Sequence, residues 1–296
     1  MVFRNAKNIL KHCSPFNSYK LLLASAQITR PRYRPLCQVL LRPFVRDGQL
    51  IFRYRCYERE MRGSLRLSEL SSDLLSAWEL SVSDTYEIDE HFEPDLVVDA
   101  GGNIGLFTLR MAAAATSAGQ QDVKYVIVEP LPQNVVQIEK HLKMNGIDAE
   151  IMPTCLGGSR RSIPFYCREA IKSSFDPKEP YEAIIDLQVL SLKDITGPSL
   201  GDSSKRILIK LDIEGMELEA LQSYIPEERR PVYIVGELHD FEGQSALLEG
   251  LFQEHGWTSQ FYEIADNYAH FRACSPLALP MLPSLAQVAA SGTRAA

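Results

Sequence analysis

A glycine-rich segment, Asp99-Ala-Gly-Gly-Asn-Ile-Gly105, follows a short apolar run and precedes a stretch rich in alanine and leucine. Glycine lets the backbone turn tightly beside a ligand, and the start of a helix offers free N–H groups. A dinucleotide fingerprint needs G-x-G-x-x-G, but counted from Gly101 its third and sixth positions hold Asn103 and Leu106. The carboxylate of Asp99 suits a cation, such as the amino-acid end of S-adenosylmethionine, better than a pyrophosphate. An ordinary strand-to-helix turn is the alternative. S-adenosylmethionine is a methyl donor, and the residues predicted to bind it are Asp99, Gly101, Gly102, Asn103 and Gly105.

A second acidic residue, Glu129, ends the next apolar run and stands directly before Pro130. An acid in this place in a nucleotide-binding sheet can accept hydrogen bonds from both hydroxyls of a ribose. Many strands end in an acid, so Glu129 alone is a weak signal. Together with the glycine-rich segment, it is predicted to bind the ribose of the donor.

A third motif, Lys210-Leu-Asp-Ile-Glu-Gly215, ends a central apolar run. Asp212 is predicted to face the sulfonium of the donor and to help bind it, while Glu214 lies at the rim of the site. The alternative is a pair of acids at a helix start, where they interact favourably with the helix dipole. Lys210 stands two residues before Asp212, so both side chains share one face of the strand and the lysine neutralises an acid.

A fourth motif, Glu237-Leu-His-Asp240, closes the next apolar run. A hydroxyl that accepts a methyl group must lose its proton. His239 is the natural general base for this step because an ordinary histidine pKa lies near the operating pH. Asp212 is the second candidate for this step, with Glu214 or Glu237 orienting the base or the substrate. The alternative for His239 is a solvated or capping residue at a strand end. The predicted catalytic residues are Asp212, His239, Glu214 and Glu237.

The sequence carries no dedicated metal motif and no Cys/His spacing typical of zinc, so no metal ligands are assigned. A magnesium ion held by Asp212, Glu237 and His239 stays open, because hard carboxylate oxygens suit Mg²⁺.

The elements that must position these residues alternate between strand and helix from about residue 95 to residue 255, with 149–156 as the third strand. Such alternation predicts a mostly parallel α/β sheet that binds ligands beyond the carboxyl ends of its strands. Two further runs, 260–264 and 269–273, predict a terminal antiparallel hairpin. The predicted fold class is the Rossmann-like class I methyltransferase fold, a mostly parallel seven-stranded sheet with this hairpin, preceded by helices and a short β pair.

The distribution of charge predicts three regions. Residues 1–46 contain nine Lys or Arg and no Asp or Glu, which leaves a net charge of −16 on the rest of the chain. An acidic body does not favour nucleic acid as a partner. The basic segment is expected to pack on the body or on a second subunit; contact with an anionic membrane surface and a transit peptide are the alternatives. The predicted division is a basic extension and cap over 1–90, a methyltransferase domain over 91–274 and a disordered tail over 275–296.

The six cysteines are scattered and form no C-x-x-C pair, which predicts reduced thiols in a cytoplasmic protein. No stretch approaches 18 uninterrupted apolar residues, so no membrane-spanning helix is predicted. The sequence leaves the oligomeric state open.

Taken together, the motifs resemble the FkbM family of methyltransferases. The matching parts are the Asp99–Gly105 segment, Glu129-Pro130, and Lys210–Gly215 followed by Glu-Leu-Glu-Ala-Leu221. The resemblance runs from about residue 95 to residue 239, and Gly102 stands where the family often has alanine. It implies an S-adenosylmethionine-dependent O-methyltransferase that acts on a hydroxyl of a sugar, glycan or natural product.

Two other functions are weighed against this one. Amino-directed DNA methyltransferases carry a Pro-Pro-aromatic segment after the central strand, where this chain has Asp212-Ile-Glu-Gly215, and the acidic body also disfavours methylation of nucleic acid. Methylation of a protein belongs to the same group of rivals. A non-enzymatic module that only binds S-adenosylmethionine would keep every donor-binding residue and transfer no methyl group.

Overall fold

Strands and helices alternate along the part of the chain that the computed structural model describes, which comprises 40–78, 86–167, 183–199, 204–265 and 267–291 together with Leu21 and Asp202. The strands are β1 (Val45–Arg46), β2 (Gln49–Cys56), β3 (Arg59–Arg66), β4 (Leu96–Ala100), β5 (Lys124–Val128), β6 (Glu150–Met152), β7 (Cys155–Gly157), β8 (Arg161–Cys167), β9 (Ala183–Ser191), β10 (Ile207–Leu211), β11 (Val232–His239), β12 (Thr258–Ala265) and β13 (Tyr268–Cys274). The helices are α1 (Leu70–Trp78), α2 (Leu106–Ser117), α3 (Pro132–Asn145), α4 (Leu192–Ser199), α5 (Glu217–Tyr224), α6 (Phe241–Glu254) and α7 (Pro283–Ser291).

Seven strands form the central sheet in the order β12-β13-β11-β10-β4-β5-β6. The five strands from β11 to β6 pair in parallel, whereas β13 pairs antiparallel with both β11 and β12. Every residue of β4 and β10 is buried, as expected for strands covered on both faces. The predicted mostly parallel seven-stranded sheet with a terminal antiparallel hairpin is therefore confirmed.

Helices cover both faces of this sheet because alternate residues of each strand point to opposite sides. On one face, Val98 and Ile209 share a hydrophobic cluster with residues of α5 and α6. On the other face, Val97 and Leu208 pack against Phe107 of α2. The sheet edge that carries the four sequence motifs stays uncovered between these layers.

The end of the chain differs from the disordered tail predicted over 275–296. Residues 279–281 form a 3-10 helix and 283–291 form α7. The side chains of Leu282 and Leu285 are fully buried in the cluster that covers Val97 and Leu208. Composition predicts disorder because the segment is rich in Pro, Ala and Ser, but Leu282 and Leu285 supply buried apolar contacts that hold it against the sheet.

A second difference concerns the third predicted strand. The run 149–156 is interrupted at Pro153, which has no N–H to donate to a strand ladder. The first part forms β6 at the edge of the central sheet, and the second part forms β7 in a separate three-stranded sheet of order β7-β9-β8. Strands β8 and β9 pair in this separate sheet and thus belong to an insertion between β6 and β10 of the central sheet.

The extension ahead of the central sheet packs on it through one hydrophobic cluster. Strands β1, β2 and β3 form an antiparallel sheet, and α1 follows. Phe52, Met61 and Leu65 are buried against Leu109 of α2 and Ile138 of α3. The predicted division of the chain near residue 90 stays a prediction, and residues 40–78 share a core with the helices beside the glycine-rich segment.

Buried polar contacts fix the same junction. His141 of α3 is fully buried, and its Nε2 lies 2.9 Å from the backbone nitrogen of Ser64, which donates to it. Its Nδ1 lies 2.7 Å from the carbonyl oxygen of Ile104, inside the glycine-rich segment. One imidazole therefore connects β3, α3 and the loop that follows β4.

Most of the segment ahead of the β pair, where the sequence predicts helices, lies outside the described residues. Among the residues that are described, no helix is both long and apolar enough to cross a membrane.

An ion pair inside the extension generates the first testable prediction. Arg66 donates to the carboxylate of Asp73, which has no solvent exposure, with a closest distance of 2.6 Å. Replacing Arg66 with Met leaves this carboxylate buried without its partner, so Arg66→Met is expected to lower the free energy of unfolding by about 3–5 kcal/mol. Urea denaturation measures the change.

The control for this prediction is Arg53→Met. Arg53 pairs with Glu60 at 2.9 Å, but both side chains are more than half exposed, so its loss is expected to cost about 1 kcal/mol or less. Equal losses in the two variants would contradict a structural role for the buried pair.

Candidate active site

A cavity of about 280 Å³ opens at the carboxyl ends of β4, β5, β10 and β11. All four sequence motifs contribute to its wall. The extension supplies Leu75 and Ser76, the insertion supplies Phe165, and the terminal hairpin supplies Tyr268. None of these additional side chains stands out in the sequence, because each belongs to an element far along the chain from the motifs.

The glycine-rich loop lies against the ends of both neighbouring strands. The backbone N–H groups of Gly101 and Gly102 both donate to the carbonyl oxygen of Val128 at 3.0 Å. Gly101 has a φ of +74°, and a Cβ atom there would come within 1.7 Å of the carbonyl oxygen of Asp212. Gly105, with a φ of +77°, begins α2. Only glycine permits the loop to fit between β5 and β10 in this way.

Asp99 lies beneath this loop rather than on the cavity wall. Its carboxylate is completely buried and accepts hydrogen bonds from the N–H and the hydroxyl of Thr108 at 3.2 and 2.8 Å. Burial raises the pKa of Asp99, although Lys210 and Thr108 lower it. The sequence predicts direct contact of Asp99 with the ligand; without solvent exposure, its side chain instead supports the start of α2 from below.

Lys210 is the cation at the centre of the site. Its Nζ donates to the carbonyl oxygen of Gly101 at 2.6 Å and to the carboxylate of Asp212 at 3.0 Å, and lies 3.9 Å from Asp99. Burial lowers the pKa of Lys210, but the charges of Asp212, Asp99 and Glu237 raise it further, so the net shift is upward. The lysine neutralises acids, as strand alternation indicated, and also holds the glycine loop against β10.

Glu129 lines the cavity at the end of β5. Its carboxylate accepts hydrogen bonds from the backbone N–H of Asn103 at 2.7 Å, from that of Leu131 at 3.0 Å, and from the amide of Asn134 at 3.1 Å. Burial raises the pKa of Glu129 and these donors lower it, and the net result is a pKa of about 7. Three donors fix the orientation of the carboxylate, and its remaining lone pairs stay available to a ligand.

Asn103 connects the loop to the extension. Its backbone adopts a φ of +49°, and its side-chain amide donates to the hydroxyl of Ser76 on α1 at 2.7 Å. Both residues line the cavity. The extension thus reaches the glycine-rich loop, a contact that only the folded chain reveals.

Three of the predicted catalytic side chains meet at the other end of the cavity. One carboxylate oxygen each of Asp212 and Glu214 and one ring nitrogen of His239 all lie within 4.8 Å of one another. The Nε2 atom of His239 is 3.7 Å from a carboxylate oxygen of Glu214, and its Nδ1 is 3.0 Å from a carboxylate oxygen of Glu217. Glu217 was absent from the sequence prediction because it lies in the first turn of α5, where an acid is unremarkable.

The ionisation of these groups is strongly altered. Burial lowers the pKa of His239, but the hydrogen bond to Glu217 and the charges of Glu217, Asp212 and Glu214 raise it, to about 10 overall. Burial, followed by the charge of Asp212, raises the pKa of Glu214 to about 8. Burial and the charge of Glu237 raise the pKa of Asp212. The ordinary histidine pKa on which the prediction of His239 as a general base depends is therefore not retained.

Glu237 lines the cavity and is joined to Asp212 through Tyr86, whose hydroxyl lies 3.5 Å from the Asp212 carboxylate. Its carboxylate accepts from the hydroxyl of Tyr86 at 3.3 Å and lies 3.1 Å from Nε2 of His270, which is itself 3.3 Å from the hydroxyl of Tyr268. Burial raises the pKa of Glu237, but His270, Tyr268 and Lys210 lower it, to about 2 overall. Glu237 is thus held ionised beside the cluster of Asp212, Glu214 and His239.

The fold and this site define a class I methyltransferase: a seven-stranded sheet with an antiparallel terminal hairpin, and a glycine-rich loop and an acid at the ends of its first two strands. The family model described as Methyltransferase FkbM domain matches residues 99–267, more than half of the chain. The chain belongs to this family, and the resemblance found in the sequence is confirmed.

The chain is similar to several other proteins. "Methyltransferase 1" of Beauveria bassiana (strain ARSEF 2860) is 25% identical over 204 residues, which cover 60% of this chain and 78% of that protein. Methyltransferase FkbM of Methylobacillus flagellatus KT is 15% identical, with a TM-score of 0.40 and coverage of 82% of this chain and 59% of the other. A 16S rRNA methyltransferase of T. thermophilus, solved with AdoMet and guanosine, is 14% identical, with a TM-score of 0.41 and coverage of 78% and 51%.

The close approach of the loop to β10 generates the second prediction. Gly101→Ala is expected to destabilise the fold severely, because its Cβ would meet the carbonyl oxygen of Asp212 at 1.7 Å. Gly119→Ala is the matched control: its φ of +72° is nearly the same, and nothing lies within 4 Å of a Cβ there.

Gly119→Ala is expected to cost about 1 kcal/mol, from the positive φ alone. Gly101→Ala is expected to lose at least about 2 kcal/mol more in urea denaturation, because β4 and β10 must separate. Similar losses in both variants would show that the loop does not pack closely against Asp212.

Proposed function

We propose that the protein is an S-adenosylmethionine-dependent O-methyltransferase that acts on a hydroxyl of a sugar, glycan or natural product. One observation carries the proposal. The carboxylates of Glu129, Asp212, Glu214 and Glu237 line the cavity, and the described residues that line it include no Lys or Arg. Such a wall favours a cationic ligand over a polyphosphate. S-adenosylmethionine carries an ammonium and a sulfonium, and when bound it supplies a methyl group on that positively charged sulfur.

The donor-binding residues fit this ligand. The oriented carboxylate of Glu129 has free lone pairs for the hydroxyls of a ribose, as proposed from its place after β5. The loop from Gly101 to Gly105, which includes Asn103, would place backbone atoms close to the ligand. Asp212, at the neighbouring strand end, lies where it can stabilise positive charge. Asp99 contributes from beneath, by holding the loop and the start of α2 in place.

The remaining residues would prepare the acceptor. A hydroxyl must be aligned with the methyl donor and must lose its proton as the new bond forms. We assign proton removal to the carboxylate of Asp212, and His239, which its raised pKa keeps protonated, stabilises the ionised form of that carboxylate. Glu214 and Glu217 orient the imidazole of His239, and Glu237 orients the substrate through its network with Tyr86 and His270.

A cytoplasmic location is part of the same proposal. Among the described cysteines, Cys56, Cys155 and Cys274 are buried free thiols, a state typical of reducing compartments. The basic segment 1–46 is proposed to pack on the body or to touch an anionic membrane surface.

The third prediction tests the donor. Glu129→Ala is expected to weaken binding of S-adenosylmethionine by about 1.5–3 kcal/mol, because it removes a charged acceptor of two hydrogen bonds. Calorimetry measures the affinity, with Glu150→Ala as control, since Glu150 is an exposed acid on the neighbouring strand β6. Unchanged affinity in Glu129→Ala would contradict the ribose assignment.

The fourth prediction concerns pH. Burial raises the pKa of Glu129 to about 7, so its carboxylate is ionised above this pH and protonated below it. Because only the ionised form accepts both ribose hydroxyls, the affinity for S-adenosylmethionine is expected to fall as the pH drops through about 7. Glu129→Ala lacks this step but keeps every other titrating group, so parallel pH profiles in the two proteins would contradict the prediction.

The acceptor class needs a separate experiment. Cell extract is incubated with the enzyme and S-adenosylmethionine carrying an isotopically labelled methyl group, and the labelled products are identified by mass spectrometry. Label on a hydroxyl of a small molecule or glycan supports the proposal. Label on nucleic acid or protein contradicts the acceptor class, and donor binding without transfer to any acceptor favours a non-enzymatic binding module.

A further inference from the structure

We propose that Asp212, Glu214 and His239 form a binding site for a divalent cation of the Mn²⁺ type. From the sequence, no metal ligands are assigned, and a magnesium site with Glu237 in place of Glu214 stays open. The structure instead gathers one ligand atom each from Asp212, Glu214 and His239 within 4.8 Å of one another. Two carboxylate oxygens and one imidazole nitrogen form a donor set that suits Mn²⁺.

The spacing fits a single ion after a small contraction. Around an octahedral ion with ligands at about 2.1 Å, neighbouring ligand atoms lie about 3 Å apart and opposite ones about 4.2 Å apart. The distance from Nε2 of His239 to Oε2 of Glu214 is 3.7 Å, between these values. The carboxylates of Asp212 and Glu214 keep 24% and 36% of their side-chain exposure, so both can rotate toward an ion in the cavity.

A second layer of the structure presents His239 as a ligand. The carboxylate of Glu217 has no solvent exposure and lies 3.0 Å from Nδ1 of His239. Because a carboxylate only accepts hydrogen bonds, Nδ1 carries a proton, and a bound cation would displace the second proton of the ring from Nε2, on the side of Glu214. Metal-binding histidines are typically oriented by such a carboxylate on the other ring nitrogen.

The same carboxylate also holds the segment that carries the other two ligands. Oε1 of Glu217 accepts from the backbone N–H groups of Ile213 and Gly215, both at 3.1 Å. These two residues flank Glu214, which has a φ of +58°. Glu217 is therefore a positioning residue for the whole ligand set, while it remains outside the cavity wall.

Glu237 does not belong to this group of ligand atoms. One oxygen of its carboxylate is engaged by Tyr86 and by His270. Glu214 pairs with His239, and its partly exposed carboxylate lines the cavity beside the imidazole. The second carboxylate available to a cation next to Asp212 and His239 is therefore that of Glu214.

The site lies in the same cavity as the proposed donor-binding residues, and its role in the reaction rests on the proposed function. With a cation bound, Asp212 and His239 would serve as its ligands rather than in proton removal, and the positive charge would lower the pKa of a hydroxyl bound next to it so that water can take up the proton. Protein ligands occupy three positions, which leaves the others to water or to the acceptor.

The experiment is a titration of the full chain with Mn²⁺, followed by the electron paramagnetic resonance signal of the free ion, without any methyl donor. The wild-type protein is expected to bind one ion. Glu214→Gln and His239→Gln are each expected to weaken binding at least tenfold, and Glu217→Gln by about 10–100-fold, although Glu217 is not a ligand. Glu227→Gln is the control, because Glu227 is a 74% exposed carboxylate paired with Lys193, and its binding should match wild type.

The affinities are measured on protein whose folded fraction has been determined by circular dichroism. Glu214→Gln keeps the hydrogen-bonded core intact because the side chain is partly exposed, so it remains informative if Glu217→Gln unfolds. Absence of Mn²⁺ binding to wild type, or equal binding by wild type, Glu214→Gln and His239→Gln, overturns the proposal.

The outcome is separable from the proposed function. Site-dependent binding of Mn²⁺ by a protein that does not bind S-adenosylmethionine supports the metal site and contradicts the methyltransferase mechanism. Methyl transfer at full rate in the presence of a chelator, by a protein that binds no Mn²⁺, supports the function and overturns the metal site.

Discussion

The site depends on one buried ammonium group. Nζ of Lys210 lies between the ends of β4 and β10, where it donates to the carbonyl oxygen of Gly101 and to Asp212 and approaches Asp99. Two carboxylates would otherwise face each other in an environment that penalises unpaired charge. The lysine makes their burial tolerable, and the hydrogen bond to Gly101 uses the same charge to hold the glycine loop.

A steric constraint acts together with this charge. Gly101 packs so closely against the carbonyl oxygen of Asp212 that no side chain fits between them. The loop and the end of β10 therefore keep one fixed spacing, and the cavity has two distinct ends. Glu129 and Asn103 stand at one end, and Asp212 stands with His239 at the other. A donor bound at the first end would present its reactive group toward the second.

A second layer supports each end. Behind the loop, His141 joins β3 and α3 to the carbonyl oxygen of Ile104. The extension therefore stabilises the end of the cavity that holds Glu129 and Asn103. Behind the cluster, Glu217 binds the imidazole of His239 and the backbone on both sides of Glu214. Contacts of this kind restrict the side chains that face the cavity, which is what precise alignment of two reactants requires.

The sequence by itself determined the alternating elements, the class of sheet and the residues at its carboxyl edge, because periodicity and strand-end glycines and acids are local signals. Only the tertiary structure decided what those residues touch. Asp99 turned out to be buried below the loop, Glu237 engaged by Tyr86 and His270, and the leucines of the tail folded onto the sheet. Such outcomes depend on burial and on partners from distant segments, which no local pattern of residues records.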